Sequence, residues 1–177
     1  MAAHSVNPGT VTTQSGPGSA LGAEVVERLI ARGLRIAVAE SLTGGLLVSE
    51  LIRTAGASAV VNGGVVAYNT ALKASVLGVD AALLAARGAV DPEVAAQMAM
   101  GVRTALAIDG VPAHIGISTT GVAGPDPQDG AAVGTVFLGF AIGDAVTTRA
   151  LTLPGNRDEI RRSAVDASLG HLLELLA

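Results

Sequence analysis

The chain has 177 residues, half of them apolar, a net charge of −4, no cysteine, no tryptophan and only 2% aromatics. That length suits one domain with a core of its own, and the missing cysteines exclude disulfides, thiolate nucleophiles and zinc-thiolate sites. The acidic balance and the shortage of rings argue against a nucleic-acid partner, which needs clustered Lys and Arg or aromatic platforms for bases.

Residues 1–21, rich in Ser, Thr, Gly and Pro, read as a disordered tail, because such a composition cannot bury enough surface to order itself. The remaining residues, 22–177, form the domain. From Ala23 to Arg32 the apolar residues Val25, Val26, Leu29 and Ile30 recur at helical spacing, and Gly33 supplies a stop. Arg35 to Ala39 reads as a short buried strand. Ser41 follows at once, and Leu42-Thr43-Gly44-Gly45 leads into a helix through Leu47, Leu51 and Ile52. Val60 to Tyr68 reads as a second strand in which Gly63-Gly64 marks a bulge or a close backbone approach, and a short helix carrying Lys73 comes next.

Asp91-Pro92 opens a helix in the expected manner, with Asp as cap and Pro at the first position, and it runs through Val94, Met98, Val102 and Leu106. Ile115 to Ser118 is the next strand, followed by a glycine-bearing loop from Thr119. Val133 to Ile142 and Ala145 to Leu153 form a hairpin across Gly143-Asp144, and a final helix covers about Asp158 to Leu176. This alternation predicts a three-layer α/β/α sandwich with a mixed sheet.

Ten arginines accompany a single lysine, Lys73. Arginine stays protonated, whereas a buried ammonium can lose its proton, so a lone lysine is a candidate for proton transfer. The alternative is a solvated lysine on a surface helix. Ser41 stands at a strand-to-helix turn, where a serine is either an N-cap, shared with Thr43, or a nucleophile beside Gly44-Gly45, whose amides suit a developing negative charge. A serine without a histidine can be activated by a neutral lysine, and Tyr68 either relays a proton or holds the amine, or is an ordinary half-buried strand tyrosine. The five-residue interval from Tyr68 to Lys73, and the lack of Gly-x-Gly-x-x-Gly after the first strand, argue against a short-chain dehydrogenase. Thr120, Gly121, Ala123 and Gly124 make either a plain turn or a nest for an anion or carboxamide, and Arg157 is either a phosphate ligand or a solvent-facing residue. All three loops follow strands, at whose carboxyl ends ligands of α/β sheets gather.

His4, His114 and His171 are scattered and imply no metal site. No run of apolar residues reaches the roughly 20 needed to span a membrane, and the N-terminus has no basic region leading into an apolar stretch. The expectation is a soluble cytoplasmic protein with no membrane or nucleic-acid partner.

Taken together, Ala39 to Gly45, Gly64 to Tyr68 with Lys73, Leu77-Gly78-Val79, Met98 to Arg103, Thr120 to Pro125, Val133 to Val136, and Gly155-Asn156-Arg157 with Ile160-Arg161 resemble the CinA C-terminal domain family, whose members also occur alone as nicotinamide-nucleotide amidohydrolases. The match follows the family's order over about residues 22–177. The resemblance implies hydrolysis of the carboxamide of nicotinamide mononucleotide, with Ser41, Tyr68 and Lys73 as catalytic residues. It implies that amides from Thr43 to Gly45 hold the oxyanion, and that Thr120 to Gly124 with Arg157 hold the nucleotide. It further implies a homodimer or higher homo-oligomer needing no metal or cofactor. The chain departs from the family where Asn69-Thr70 follows Tyr68, and where Ala131-Ala132 precedes Val133 in place of a common Lys-Pro. A module that binds a nucleotide without turnover, and an amidase for another pyridine carboxamide, are the competing readings.

Overall fold

The computed structural model describes residues 18–177. In chain order they form α1 (Gly18–Arg32), β1 (Ile36–Glu40), α2 (Leu46–Ile52), a single 3-10 turn (Ala57–Ala59), β2 (Val61–Val66), α3 (Thr70–Ser75), α4 (Ala81–Arg87), α5 (Pro92–Ala105), β3 (Ile115–Gly121), β4 (Thr135–Ile142), β5 (Ala145–Thr152) and α6 (Arg157–Leu175). The strands make one sheet in the order β2-β1-β3-β4-β5. The first three are parallel and the last two antiparallel. Glu40, Val66 and Gly121 therefore end on one edge, which β4 enters at Thr135.

The sheet separates two apolar layers. On one face Ile36, Val38, Ile117, Leu138 and Phe140 pack against Val25 and Leu29 of α1, Leu47 and Leu51 of α2, and Ile160 and Leu169 of α6. The other face is lined by Ala37 and Ala39 and covered by Val94, Met98 and Val102 of α5, with Leu77 and Val79 beside them. The two faces use different means. The first fills its space with branched side chains, whereas the second brings backbone onto backbone: a Cβ on Gly116 or Gly139 would collide with the Ala99 or Ala95 carbonyl of α5, and one on Gly101 with the Leu77 carbonyl. Ser118 Oγ donates to the Ala95 carbonyl at 2.6 Å, a bond that only such proximity permits.

The helix ends follow local chemistry. Asp91 accepts from the Glu93 amide ahead of Pro92, and Asn156 and Glu159 form a reciprocal capping box on α6. Each such cap is worth about 1 kcal/mol. The register of β2 on β1 skips Asn62, and a Cβ on Gly64 would lie 2.8 Å from Val48, so both readings of the Gly63-Gly64 pair hold.

Some boundaries differ from expectation. Helix α1 starts at Gly18, so residues 18–21 of the expected tail are helical, and residues 1–17 lie outside the described residues. Strand β3 continues to Gly121 because β4 pairs with it as far as Val136, so Thr119 and Thr120 belong to the sheet and not to a loop. Strand β2 stops at Val66, and α6 takes Arg157 as its first residue. Helix α4, short and Ala-rich, was not placed from the sequence, although Asp80 caps it by accepting from the Ala82 amide and Gly88 ends it. Among the described residues no helix is long and apolar enough to cross a membrane.

Candidate active site

Ser41 leaves the end of β1 with its amide bonded to the Thr119 carbonyl at 2.9 Å. Its side chain meets Lys73, delivered from α3, whose start is fixed by Asn69 accepting from the Ala71 amide. The first turn of α3 carries Lys73 inward until it is wholly buried, one of the largest side chains in the interior. Its Nζ stands 3.1 Å from Ser41 Oγ and donates to the Ala67 carbonyl at 2.7 Å. Burial disfavours the ammonium and lowers its pKa from 10.5 to about 8. About a tenth of the amine is then neutral at pH 7, against about three parts in ten thousand for an ordinary lysine. The neutral amine has a lone pair that can accept the Ser41 hydroxyl proton, which is the chemistry a serine nucleophile requires of its base.

The turn that presents Ser41 is held from several sides. Glu40, wholly buried, accepts from the amides of Gly45, Leu47 and Val48 at 2.9, 3.0 and 2.9 Å. Arg161 on α6 donates through Nε to the Leu42 carbonyl at 2.9 Å and through Nη2 to the Thr43 carbonyl at 3.0 Å. The Thr43 and Thr119 hydroxyls bond each other at 2.7 Å. These contacts revise three expectations. Thr43 is buried with its hydroxyl engaged, so its side chain anchors the turn and does not line the cleft. The Gly44 amide donates to the Ser41 carbonyl and the Gly45 amide to Glu40, so neither is open to an oxyanion. The glycines are needed for their left-handed φ values of 60° and 96°, and for the nearness of Arg161 Nη2, which a Cβ on Gly44 would meet at 3.2 Å. Sequence reasoning assigned Glu40 and Arg161 no role; a carboxylate next to a serine before paired glycines was the available signal for the first.

In front of Ser41 and Lys73 opens a cleft of about 150 Å³, lined also by Tyr68, Thr120, Gly121, Ala123, Gly124 and Arg157. Thr120 presents a wall and not a free hydroxyl, since its Oγ1 donates to the Ala89 carbonyl at 2.6 Å. Gly121 is required by crowding, as a Cβ there would lie 2.5 Å from the Thr135 carbonyl oxygen. At the mouth Arg157 donates to the Gly124 carbonyl at 2.7 Å and to the Tyr68 hydroxyl at 3.1 Å. Tyr68 is 61% exposed, and its hydroxyl meets Arg157 and not the lysine; the amine is held by the Ala67 carbonyl instead. Asp126 and Gln128, also on the lining, were not singled out from the sequence.

The domain is thus a three-layer α/β sandwich that sets a serine–lysine pair at the carboxyl edge of its parallel strands. The chain belongs to the CinA C-terminal domain family, whose profile matches residues 18–176. It is 49% identical over 86% of its length to a CinA-like protein of Frankia casuarinae, and 47% identical over 87% to a putative competence-damage inducible protein of Geobacillus kaustophilus. It spans about a third of each of those relatives, 34% and 36%. Among solved structures it resembles a competence-damaged protein (CinA) superfamily protein from Klebsiella pneumoniae 700603, with a TM-score of 0.85, 32% identity, and coverage of 91% of this chain and 98% of that one. It also resembles a competence/damage inducible protein from Agrobacterium tumefaciens, with a TM-score of 0.85, 31% identity, and 94% and 100% coverage.

Proposed function

We propose that the chain hydrolyses the carboxamide of nicotinamide mononucleotide to nicotinate mononucleotide and ammonia. The observation that carries this reading is the buried Lys73 amine, 3.1 Å from Ser41 Oγ and with its pKa brought down to about 8. A binding module has no use for such a pair.

In this reading neutral Lys73 takes the Ser41 proton as Oγ attacks the carboxamide carbon. The ammonium then gives that proton to the departing nitrogen, which leaves as ammonia, and an acyl ester remains on Ser41. Water, deprotonated by Lys73, attacks the ester carbonyl and releases the carboxylic acid, and the proton returns to Ser41. The Ala67 carbonyl keeps the amine in place through both halves. Arg157, steadied by Tyr68 and Gly124, receives the phosphate at the mouth. The proposed chemistry calls on no metal or cofactor.

One observation favours a second reading, an amidase for a pyridine carboxamide without phosphate. Asp126 lines the cleft, and the stretch 126–132 contains no basic residue. Purified chain incubated with nicotinamide mononucleotide, its riboside and free nicotinamide, with ammonia measured for each, separates the readings. The expected result is fastest release from the mononucleotide and none from Ser41→Ala. A preference for the riboside establishes the second reading. Binding without ammonia from any of the three overturns both.

A further inference from the structure

We propose that Arg161 is the positioning residue that prepares the amides of Leu42 and Thr43 to receive the oxyanion formed at Ser41. The proposal rests on the nucleophilic role of Ser41 given above, though not on the identity of the substrate.

The argument starts from the donors that are already used. After Ser41 the amides of Gly44, Gly45, Leu46, Leu47 and Val48 donate, in turn, to the Ser41 carbonyl, Glu40, the Thr43 carbonyl, Glu40 and Glu40. The start of α2 is thereby closed to a ligand. The amides of Leu42 and Thr43 differ, since neither meets a protein acceptor among the described residues. Thr43 is wholly buried and Leu42 nearly so. Buried amides without an acceptor are rare, and at a site they mark a place where a ligand supplies one.

Arg161 explains why these two amides are spared. A trans peptide points its N–H opposite to its C=O. The Leu42 carbonyl is drawn to Arg161 Nε, so the Thr43 N–H is turned away from α6. The Thr43 carbonyl is drawn to Nη2, which fixes the next peptide, and the Gly44 N–H of that peptide bonds the Ser41 carbonyl, so the plane that carries the Leu42 N–H is held at one remove. A guanidinium is suited to this task because its rigid planar fork presents two nitrogens at a fixed spacing, one to each carbonyl, whereas a lysine offers a single nitrogen on a flexible stem. Gly44 completes the arrangement by leaving room for the fork. Asp158 lies 3.6 Å from Nη1 and holds the third nitrogen. Arg161 touches no reacting atom, so it acts only by setting the peptide planes beside the nucleophile.

The test uses Arg161→Lys and Arg161→Ala in the full chain, with exposed Arg162→Ala as the control. Two readouts are followed. The first is ammonia release, read as kcat and KM separately. The second is the labelling rate with a fluorophosphonate, in which Ser41 Oγ displaces fluoride from phosphorus while its proton passes to Lys73. Loss of an oxyanion donor lowers turnover about 10²-fold to 10³-fold. The expected result is a fall of at least thirtyfold in kcat and in labelling for both Arg161 variants. KM, the pH midpoint of labelling and the midpoint of thermal unfolding of Arg161→Lys should stay near wild type, and Arg162→Ala should be unchanged. A purely structural role would lower the unfolding midpoint and raise KM together with the loss of rate, which overturns the proposal, as do wild-type labelling rates in both variants. If the wild type labels but releases no ammonia, the substrate assignment fails and the labelling rates alone decide the role of Arg161. An unlabelled wild type overturns the activated serine, and this inference with it.

Discussion

The turn at 41–45 and the rim formed by Tyr68, Gly124 and Arg157 face the same cleft but are built differently. Residues 41–43 of the turn are buried and the turn is tied to β3, α2 and α6 through Thr119, Glu40 and Arg161, whereas Tyr68 and Arg157 of the rim are exposed and its link is the pair of hydrogen bonds made by Arg157. A nucleophile and its base must be held within a fraction of an ångström, because misplacement costs rate steeply. A rim that meets the outer part of a ligand has only to offer charge and can adapt. The difference teaches that changes in the turn should fall on turnover and stability, and changes in the rim on affinity.

The sharpest way to break the comparison is at Lys73. Lys73→Arg keeps the charge but cannot yield a proton, and ammonia release should fall about 10³-fold or more without a matching change in ligand affinity. A variant with even a tenth of wild-type turnover would show that the amine is not the base. Next in size is Glu40→Ala, which strands the amides of Gly45, Leu47 and Val48 in the interior. Chemical denaturation should register a loss of about 3 kcal/mol, and a loss below about 1 kcal/mol would mean that water replaces the carboxylate with ease.

The pH dependence sharpens the same point. With a pKa of about 8, turnover should climb roughly tenfold per pH unit below pH 8 and level off above it. Stability carries a second signature. Between about pH 8 and 10.5 the unfolded chain binds a proton at Lys73 that the folded chain has released, so folding strengthens as pH rises through that window. Lys73→Met should remove this rise, and a denaturation series across the window checks it.

At the rim, Arg157→Ala should raise KM for the mononucleotide about tenfold while kcat stays within about threefold, as expected when one charged contact to a ligand is lost. The smallest effect belongs to Tyr68→Phe, which removes one exposed hydrogen bond and should change KM by about threefold or less. A collapse of kcat in this variant would return the tyrosine to the proton path and blur the division between turn and rim.

The layers, the Asp91-capped helix and the Ser41 and Lys73 positions were legible in the sequence because each leaves a local mark. Asp91-Pro92 is a cap in its immediate context, and a solitary lysine stands out among ten arginines. What was hidden lies in long-range bonds. The grip of Arg161 on Leu42 and Thr43 spans 119 and 118 residues. The hold on the Lys73 amine comes from the Ala67 carbonyl, a backbone atom that has no signature in composition. Thr120 read as part of a ligand loop because nothing in the sequence shows that the Ala89 carbonyl accepts a hydrogen bond from its hydroxyl. The paired glycines were correctly noticed and differently employed: they admit Arg161 and Glu40, not a ligand.

The backbone-on-backbone seating of α5 has a consequence for how this molecule tolerates change. At Gly116 and Gly139 a single added methyl group would strike the carbonyls of Ala99 and Ala95, and fixed main chain cannot step aside as a side chain can. A screen of every single substitution, scored only by survival of activity, should therefore rank these two glycines beside Ser41. Their intolerance would record the thickness of a layer and no chemistry at all. Soluble protein yield, scored in parallel, tells them apart: it should drop for the glycines and hold for Ser41→Ala.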